Sequence, residues 1–274
     1  MTEPLAPVFA STYLYGAHKS IGAERWDVWL AHQLAHMSES SWAGVRTLGE
    51  LRHVCNFDLV TDNSTYITRA RSVMAGRFLR SGKDVWLTVD DDVFATEGVL
   101  RRVILACRET RAGVAVPYIN RNGLSMTFRR LYGPTLHLDF GAQGSASLRS
   151  VDRIGFGLVA LHRDLVSLLA KDAPMFRENN DGKGEPDCPA LFLEGAQDGD
   201  WVGEDYYASR LCEDAGKPLW AMLAAPCEHA GITAMVDIQG HIRVQGLAAA
   251  ETLDRAFRAR EQEAETGRHT RPTE

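Results

Sequence analysis

The sequence lacks the features that define several large classes of protein. Its five cysteines are odd in number and never form a Cys-x-x-Cys pair, which argues against a disulfide framework and a zinc cluster. No apolar run approaches the roughly 20 residues that a membrane-spanning helix needs. Residues 1–4 have neither the charged nor the apolar segment of a signal peptide. We therefore expect a cytoplasmic protein with no membrane span.

Basic charge is not concentrated in any part of the chain. The sequence has 30 Lys and Arg residues and 36 Asp and Glu residues, which gives a formal net charge of −6 at pH 7. A long-range attraction to phosphate backbones or anionic lipid needs a concentrated basic block, so charge gives no support for either partner. The 274 residues, 45% of them hydrophobic, are enough to bury one large core or two small ones.

Strand and helix patterns alternate along the first half of the chain. Residues 8–13 and 85–89 are apolar runs of strand length, and residues 113–117 form a third. Residues 66–79 and the segment after Thr96 have apolar residues at helical spacing. Because strands alternate with helices, we predict an α/β fold with a mostly parallel central sheet and helices on both faces.

Two later segments have a different character. Residues 177–200 are rich in Gly, Asp, Glu and Asn and show little periodicity, which predicts a long surface loop that can order over a ligand. Residues 247–265 are Ala-rich and amphipathic, which predicts a helix followed by a frayed tail.

The acidic triplet Asp90, Asp91 and Asp92 directly follows the buried strand at 85–89. Ligands of open α/β sheets bind at the carboxyl ends of strands, and carboxylates there can hold a hard divalent cation that bridges diphosphate oxygens. Three adjacent negative charges also repel one another, so their burial requires a cation or a basic partner. A solvated turn or a helix-capping cluster is the alternative interpretation.

Two further segments carry groups of the same kind. Glu204 and Asp205 precede a predicted helix, where acidic residues either complement the helix dipole or place a carboxylate beside a cleft as a general base. His229 follows the last apolar strand, where its imidazole can complete a metal shell or serve only in packing.

Taken in order, five segments resemble the motifs of the GT-A glycosyltransferases, especially the family 2-like enzymes. The resemblance extends over about residues 65–231, and Ser72 stands where the family has Asn. The segments are residues 68–72, 85–93 with an Asp-x-Asp motif, the glycine-rich 155–163, Gly203 with Glu204 and Asp205, and His229 with Ala230 and Gly231. The resemblance implies a GT-A, Rossmann-like domain over residues 1–245, with a C-terminal helix and tail at 246–274.

The resemblance also implies roles for individual residues. Asp92 and His229 would be ligands of Mn²⁺ or Mg²⁺, and Asp90 would contact the metal or the ribose. Asp205 would be the catalytic base of an inverting reaction, with Glu204 beside it. The nucleotide-sugar site, with a UDP-sugar expected, would be formed by Thr12, Arg71, Asp90, Asp91, Gly155 and Gly157, with Asp91 supporting the loop.

The predicted function is therefore metal-dependent transfer of a sugar from a nucleotide-diphosphate sugar to an acceptor hydroxyl. The acceptor, which can be a saccharide, a small molecule or a hydroxylated base of viral DNA, is left open, as is the oligomeric state. A second alternative is a sugar-nucleotide-binding or nucleotidyltransferase protein of the same fold. Such enzymes normally begin with a Gly-rich phosphate loop, which residues 10–16 do not offer. A non-enzymatic nucleotide-binding protein would predict loss of Asp92, Asp205 or His229.

Overall fold

The computed structural model describes residues 5–12, 21–22, 42–61, 66–119, 127–178, 185–197, 199–230 and 235–237. Five α-helices lie within these ranges: α1 (Trp42–Val54), α2 (Ile67–Ser81), α3 (Glu97–Thr110), α4 (Arg163–Ala170) and α5 (Glu204–Asp214). The strands are β1 (Leu5–Thr12), β2 (Ile21–Gly22), β3 (Cys55–Thr61), β4 (Val85–Val89), β5 (Val93–Ala95), β6 (Gly113–Ala115), β7 (Leu131–Asp139), β8 (Ser145–Val151), β9 (Leu158–His162), β10 (Met175–Phe176), β11 (Cys188–Pro189), β12 (Gly195–Gln197), β13 (Asp200–Val202), β14 (Leu219–Leu223), β15 (Cys227–Ala230) and β16 (Met235–Asp237).

Nine strands form one central sheet in the order β2-β3-β1-β4-β9-β6-β14-β8-β7. β3, β1 and β4 pair in parallel, and so do β6 and β14. β2, β9 and β8 are antiparallel to their neighbours, so the other six strands point in the same direction. The predicted mostly parallel α/β sheet is therefore confirmed, with the antiparallel β9 inserted between β4 and β6.

The sheet separates two hydrophobic cores because successive side chains of a strand point to opposite faces. Ala10 and Leu87 pack with the apolar faces of α1 and α3. Phe9 and Trp86 pack with α2, α4 and α5 on the other side. Trp86 is fully buried, and its indole N–H donates to Ser11 Oγ at 2.8 Å, so its burial leaves no unmet polar group. Helices thus cover both faces, as predicted.

Part of the segment expected to be a long surface loop, residues 177–200, is packed into the protein. Cys188, Leu191 and Phe192 are at most 2% exposed, and the Phe192 ring lies edge-on to Trp86 at a centroid separation of 6.1 Å. The expectation was wrong for these residues because apolar side chains are scattered among the polar ones without periodicity. Other residues of the described part, which omits residues 179–184 and 198, are exposed, among them Asp187, Leu193 and, in the hairpin of β12 and β13, Ala196 and Asp200.

The predicted C-terminal helix and tail, residues 246–274, lie outside the described residues, so the division at residue 245 stays a prediction. In the part of the chain that is described, no helix is both long and apolar enough to cross a membrane.

Candidate active site

The acidic triplet forms a tight turn between β4 and β5. The Asp90 backbone N–H donates to the carbonyl of Gly157 at 2.8 Å, and the Val93 N–H donates to the carbonyl of Asp90 at 3.2 Å. Gly44, in the first turn of α1, donates its N–H to the carbonyl of Asp91 at 2.8 Å. Two of these hydrogen bonds therefore hold the turn against α1 and the segment before β9, and the one between Val93 and Asp90 closes the turn itself.

Asp92 and His229 form a buried pair, 3% and 7% exposed. β15 runs antiparallel to β5 and places His229 opposite Val93, the neighbour of Asp92. The imidazole Nδ1 lies 2.7 Å from the carbonyl oxygen of Ile119, and Nε2 lies 3.1 Å from Asp92 Oδ2. The Ile119 carbonyl can only accept a hydrogen bond, so Nδ1 of His229 carries the proton. In a neutral imidazole, Nε2 then has a lone pair that faces the Asp92 carboxylate. Two facing acceptors at this distance require a proton or a cation between them.

The donor set of this pair fits a divalent cation. Two ligands at about 2.1 Å from an octahedral ion and at right angles to each other are about 3.0 Å apart, close to the observed separation. Metal-bound histidines usually donate their second N–H to a carbonyl or carboxylate, as His229 does to Ile119. A cation held by Asp92 and His229 would keep further coordination positions for water and substrate oxygens, as Mg²⁺ commonly does at phosphate sites.

Arg71 connects the acidic turn to the start of α5. Its guanidinium is buried, with Nη2 at 2.9 and 3.2 Å from the two carboxylate oxygens of Asp90 and Nη1 at 2.9 Å from Glu204 Oε1. The guanidinium carbon lies 5.9 Å from the ring centre of Phe156. Burial nevertheless raises the pKa of Asp90 above its usual value, against the opposing effect of Arg71. Arg71 and Asp90 thus lie in the cluster to which the sequence assigned them, with Asp90 bound to a guanidinium.

Asp205 lies in the first turn of α5, which begins after Gly203. Its Oδ1 accepts the backbone N–H of Tyr206 at 2.7 Å. Burial is the main reason that the pKa of Asp205 is raised to about 6, with Arg71 opposing the rise and Glu204 adding to it. A carboxyl group with a pKa near 6 is mostly ionised at neutral pH and is still basic enough to accept a proton.

Tyr118, which the sequence analysis missed, links the two halves of the cluster. Its ring centre lies 4.9 Å from that of His229, and its hydroxyl oxygen accepts the Gly157 N–H at 3.1 Å. A Cβ atom added to Gly157 would lie 2.5 Å from the Tyr118 hydroxyl oxygen. A Cβ atom added to Gly155 would lie 3.1 Å from the same hydroxyl oxygen and 3.5 Å from Asp205 Oδ2. Tyr118 follows β6 near its carboxyl end, a position that could have indicated its role.

These distances revise the reason for the two glycines. The resemblance implies that Gly155 and Gly157 belong to the nucleotide-sugar site, where glycine would let the backbone approach the sugar. The space beside their Cα atoms is instead filled by Tyr118, together with Thr127 next to Gly155. Packing against Tyr118 at both positions, and against Thr127 at Gly155, accounts for the two glycines, and contact between their backbone and a sugar stays a prediction.

The remaining predicted residues lie at the same edge of the sheet. Thr12, the last residue of β1, pairs with Val89, which directly precedes Asp90. Asp91 is half-buried and contributes its backbone carbonyl to Gly44. The structure thus brings Thr12, Asp90, Asp92 and His229 to one end of the sheet, as expected for the carboxyl ends of β1 and β4.

A second acidic group lies away from this cluster. Glu178, Asp187 and Cys188 place ligand atoms within 4.8 Å of one another. Arg77 and Arg80 contact Glu178 at 2.5 and 2.8 Å, and Arg80 contacts Asp187 at 2.6 Å. Because two guanidinium groups already neutralise these carboxylates, the group serves to fasten Glu178 and the 187–188 region to α2.

Comparison with known proteins gives no family. No family model and no curated protein matches the chain. Among solved structures it is similar to A197 from STIV, with 11% identity and a TM-score of 0.46, over 82% of this chain and 86% of that one. Two structures of UDP-glucose pyrophosphorylase also match. The apo form has 9% identity and a TM-score of 0.36, over 90% of this chain and 82% of that one. The complex with UDP-glucose has 10% identity and a TM-score of 0.37, over 90% of this chain and 99% of that one. These TM-scores are low, so the function is derived from the side chains of the site.

Proposed function

We propose that this chain is a divalent-cation-dependent glycosyltransferase that moves a sugar from a nucleotide-diphosphate sugar, with a UDP-sugar expected, to an acceptor hydroxyl. The observation that carries the proposal is one cluster that holds both the buried Asp92–His229 pair, whose atoms suit a metal ion, and a weakly acidic carboxyl group, Asp205. A glycosyltransferase needs both: a centre that receives the departing diphosphate and a base that receives the acceptor's proton.

The donor half of the site is formed by the acidic turn. Asp92 and His229 would hold Mn²⁺ or Mg²⁺, which when bound neutralises charge on the diphosphate. Four carboxylates, those of Asp90, Asp92, Glu204 and Asp205, lie around one guanidinium, so an added cation reduces a net negative charge. Asp90, which Arg71 orients, would accept a ribose hydroxyl, and Thr12 would border the base.

The acceptor half is formed by the start of α5. As the acceptor oxygen bonds to the anomeric carbon, its proton passes to the Asp205 carboxylate, and the bond from that carbon to the phosphate oxygen breaks with its electrons going to the nucleoside diphosphate. Attack opposite to the leaving group inverts the anomeric centre. Glu204, held by Arg71, keeps the first turn of α5 aligned with the acidic turn.

Nucleotidyl transfer is the competing reaction. It brings together a triphosphate and a sugar phosphate, whose charges require several cationic side chains. Among the described residues of the cluster, Arg71 supplies that charge and is already held between Asp90 and Glu204. Glycosyl transfer from one diphosphate therefore fits the charge balance better.

The test is to measure both reactions with the same protein. Purified chain is incubated with Mn²⁺, either UDP-glucose or UDP-galactose, and a saccharide or a hydroxymethylcytosine-containing DNA as the hydroxyl acceptor to follow release of UDP, and with UTP and glucose 1-phosphate to follow release of pyrophosphate. The proposal expects metal-dependent UDP release and no pyrophosphate. Pyrophosphate release, or UDP release that is unchanged in EDTA, would contradict it. Asp92→Asn with a wild-type circular-dichroism spectrum serves as the control and should lack UDP release.

A further inference from the structure

Tyr118 is a buried residue that the proposed reaction does not use, although it contacts both sides of the metal-ligand pair. It is 7% exposed and follows β6 at the carboxyl end of that strand. Its backbone is held without help from its side chain. The Tyr118 N–H donates to Thr127 Oγ1 at 3.1 Å, and the Thr127 N–H donates to the Tyr118 carbonyl at 2.9 Å. The side chain therefore extends into the cluster from a fixed backbone.

The ring of Tyr118 limits the orientation of the His229 imidazole. The two ring centres are 4.9 Å apart, and the ring planes are inclined at 64°. The next residue, Ile119, accepts the imidazole Nδ1–H through its carbonyl at 2.7 Å. One hydrogen bond alone would let the imidazole rotate about that bond, whereas a ring packed beside it blocks the rotation. Tyr118 and Ile119 together therefore direct Nε2 towards Asp92 Oδ2, 3.1 Å away.

The hydroxyl group of Tyr118 contacts the other side of the pair. It accepts the Gly157 N–H at 3.1 Å, and the Gly157 carbonyl accepts the Asp90 N–H at 2.8 Å. Asp90 begins the turn that carries Asp92, so two hydrogen bonds connect the hydroxyl to that turn. Burial raises the pKa of the Tyr118 hydroxyl well above its usual value, and Asp90 adds to the rise. The hydroxyl therefore stays protonated at neutral pH and does not become a phenolate ligand.

The pair needs such restraint because its two members repel each other before a cation binds. In a neutral imidazole, the Nε2 lone pair faces the negative Asp92 carboxylate at 3.1 Å. Without support, this repulsion would turn one of the two side chains away. A cation that had to bring separated ligands together would bind more weakly, since the cost of ordering them would offset part of its binding free energy.

We propose, on the basis of the proposed function, that Tyr118 is a positioning residue for the metal centre. Its ring fixes His229 and its hydroxyl fixes the acidic turn, so Asp92 and His229 are held at the separation that a divalent cation needs before the cation binds. Tyr118 acts through these neighbours and contacts neither the cation nor the substrate.

The experiment measures Mn²⁺ binding, without any nucleotide-sugar, in two Tyr118 variants and two controls. Tyr118→Leu removes the aromatic ring and the hydroxyl, whereas Tyr118→Phe removes the hydroxyl alone. Phe78→Leu removes a buried aromatic ring from the core outside the cluster, and Met175→Ala changes an exposed apolar residue. Calorimetry gives the Mn²⁺ affinity. Pulsed electron paramagnetic resonance detects an imidazole nitrogen bound to Mn²⁺, and His229→Gln gives the reference spectrum without that ligand.

The two Tyr118 variants should differ in a defined way. Tyr118→Leu should weaken Mn²⁺ binding about ten- to a hundredfold and reduce the nitrogen signal, because residues that orient metal ligands have effects of that size. Tyr118→Phe should keep the nitrogen signal and weaken binding about three- to tenfold, since the Gly157 N–H loses its acceptor. Phe78→Leu and Met175→Ala should keep both the affinity and the signal.

Three results would overturn the proposal: wild-type affinity in Tyr118→Phe, wild-type affinity with an intact nitrogen signal in Tyr118→Leu, or equal weakening in Tyr118→Leu and Phe78→Leu. The last would show that the effect follows stability. If Tyr118→Leu does not fold, the affinity of Tyr118→Phe decides.

The same measurements separate this inference from the proposed function. A wild-type chain that binds no Mn²⁺, or binds it without a nitrogen signal, would refute the metal site and both proposals with it. Wild-type binding that the Tyr118 variants leave unaltered would refute this inference alone. Binding that changes as expected, in a chain that releases no UDP with donor and acceptor present, would refute glycosyl transfer and support the role of Tyr118.

Discussion

Asp205 occupies an environment that works against its own charge, since burial and neighbouring carboxylates both disfavour the ionised form. Such an arrangement lowers stability, and proteins retain it where a weakly acidic carboxyl group is useful. The neighbouring Glu204 differs, because its carboxylate is paired with Arg71 at 2.9 Å. Adjacent residues of the same helical turn thus have different tasks.

Replacing Asp205 with Asn should separate catalysis from donor binding. Without the carboxylate, no base takes up the proton of the attacking hydroxyl. Turnover should therefore fall about a hundredfold or more, while donor affinity stays nearly unchanged. Glu204→Gln, which keeps a hydrogen-bonding partner for Arg71, should lose less activity. Steady-state kinetics and calorimetry with UDP-glucose measure the two effects. Equal loss of donor affinity and rate would assign Asp205 to structure, and wild-type turnover would exclude it as the base.

The same substitution should stabilise the fold at neutral pH. Because the folded-state pKa of Asp205 is raised to about 6, its ionisation destabilises the protein above pH 6. That destabilisation disappears as the pH falls from about 6 towards the usual aspartate value of 3.8. Asp205→Asn should therefore raise the unfolding free energy by the order of 1 kcal/mol at pH 7.5, and by little at pH 4. A pH series of chemical denaturations measures this difference. A variant that is less stable at pH 7.5 would contradict the raised pKa.

At the scale of elements, the contact between α1 and the acidic turn holds the turn that carries Asp92. Gly44 lies so near this turn that a Cβ atom would be 2.8 Å from the Cα of Asp91 and 3.1 Å from the carbonyl oxygen of Asp90. Both neighbours are backbone atoms, which cannot rotate away as a side chain can. The helix approaches the turn this closely because residue 44 has no side chain.

Gly44→Ala should therefore displace the acidic turn from α1. We expect a loss of about 1–3 kcal/mol in unfolding free energy from overpacking, together with weaker Mn²⁺ binding. Gly49→Ala is the matched control, because it lies in the same helix with nothing within 4 Å of the added Cβ. That variant should gain about 0.5–1 kcal/mol from the better helix former and keep its metal affinity. Denaturation and calorimetry with Mn²⁺ compare the two variants. Equal metal affinity in both would show that α1 does not position Asp92.

The sequence predicted the elements that have a periodic pattern and the polar residues that follow them. β4 was located at its observed bounds, and Asp90 and Asp92 were correctly placed at its carboxyl end, because a fully buried strand reads as a continuous apolar run. Tyr118 was missed since it belongs to no motif, and its importance depends on two glycines that are distant in sequence. The packed segment around Phe192 was missed because it is held by tertiary contacts and has no period of its own.

For the whole molecule, the candidate site lies where the two cores meet at one end of the sheet. The acidic turn lies against α1, which belongs to one core, while Arg71 and Asp205 come from α2 and α5, which belong to the other. Carboxylates from both sides therefore converge, and their mutual repulsion opposes close packing of the two layers at this end. A bound cation removes part of that repulsion and should bind the folded chain more strongly than the unfolded one.

This coupling predicts that metal and donor together raise the thermal stability of the whole chain. A ligand that binds only the folded state adds about 2.7 kcal/mol at a hundred times its Kd. For a chain of this size that corresponds to a rise in Tm of about 5–10 °C. Thermal unfolding should show this rise with Mn²⁺ and UDP-glucose together and a smaller rise with either alone, because the cation bridges the diphosphate to Asp92 and His229 in the proposed site. Asp92→Asn should abolish the joint effect, whereas Met175→Ala should keep it. An equal rise with UDP-glucose in the presence of EDTA would show that the nucleotide-sugar binds without a cation, and the assignment of Asp92 and His229 as metal ligands would then be wrong.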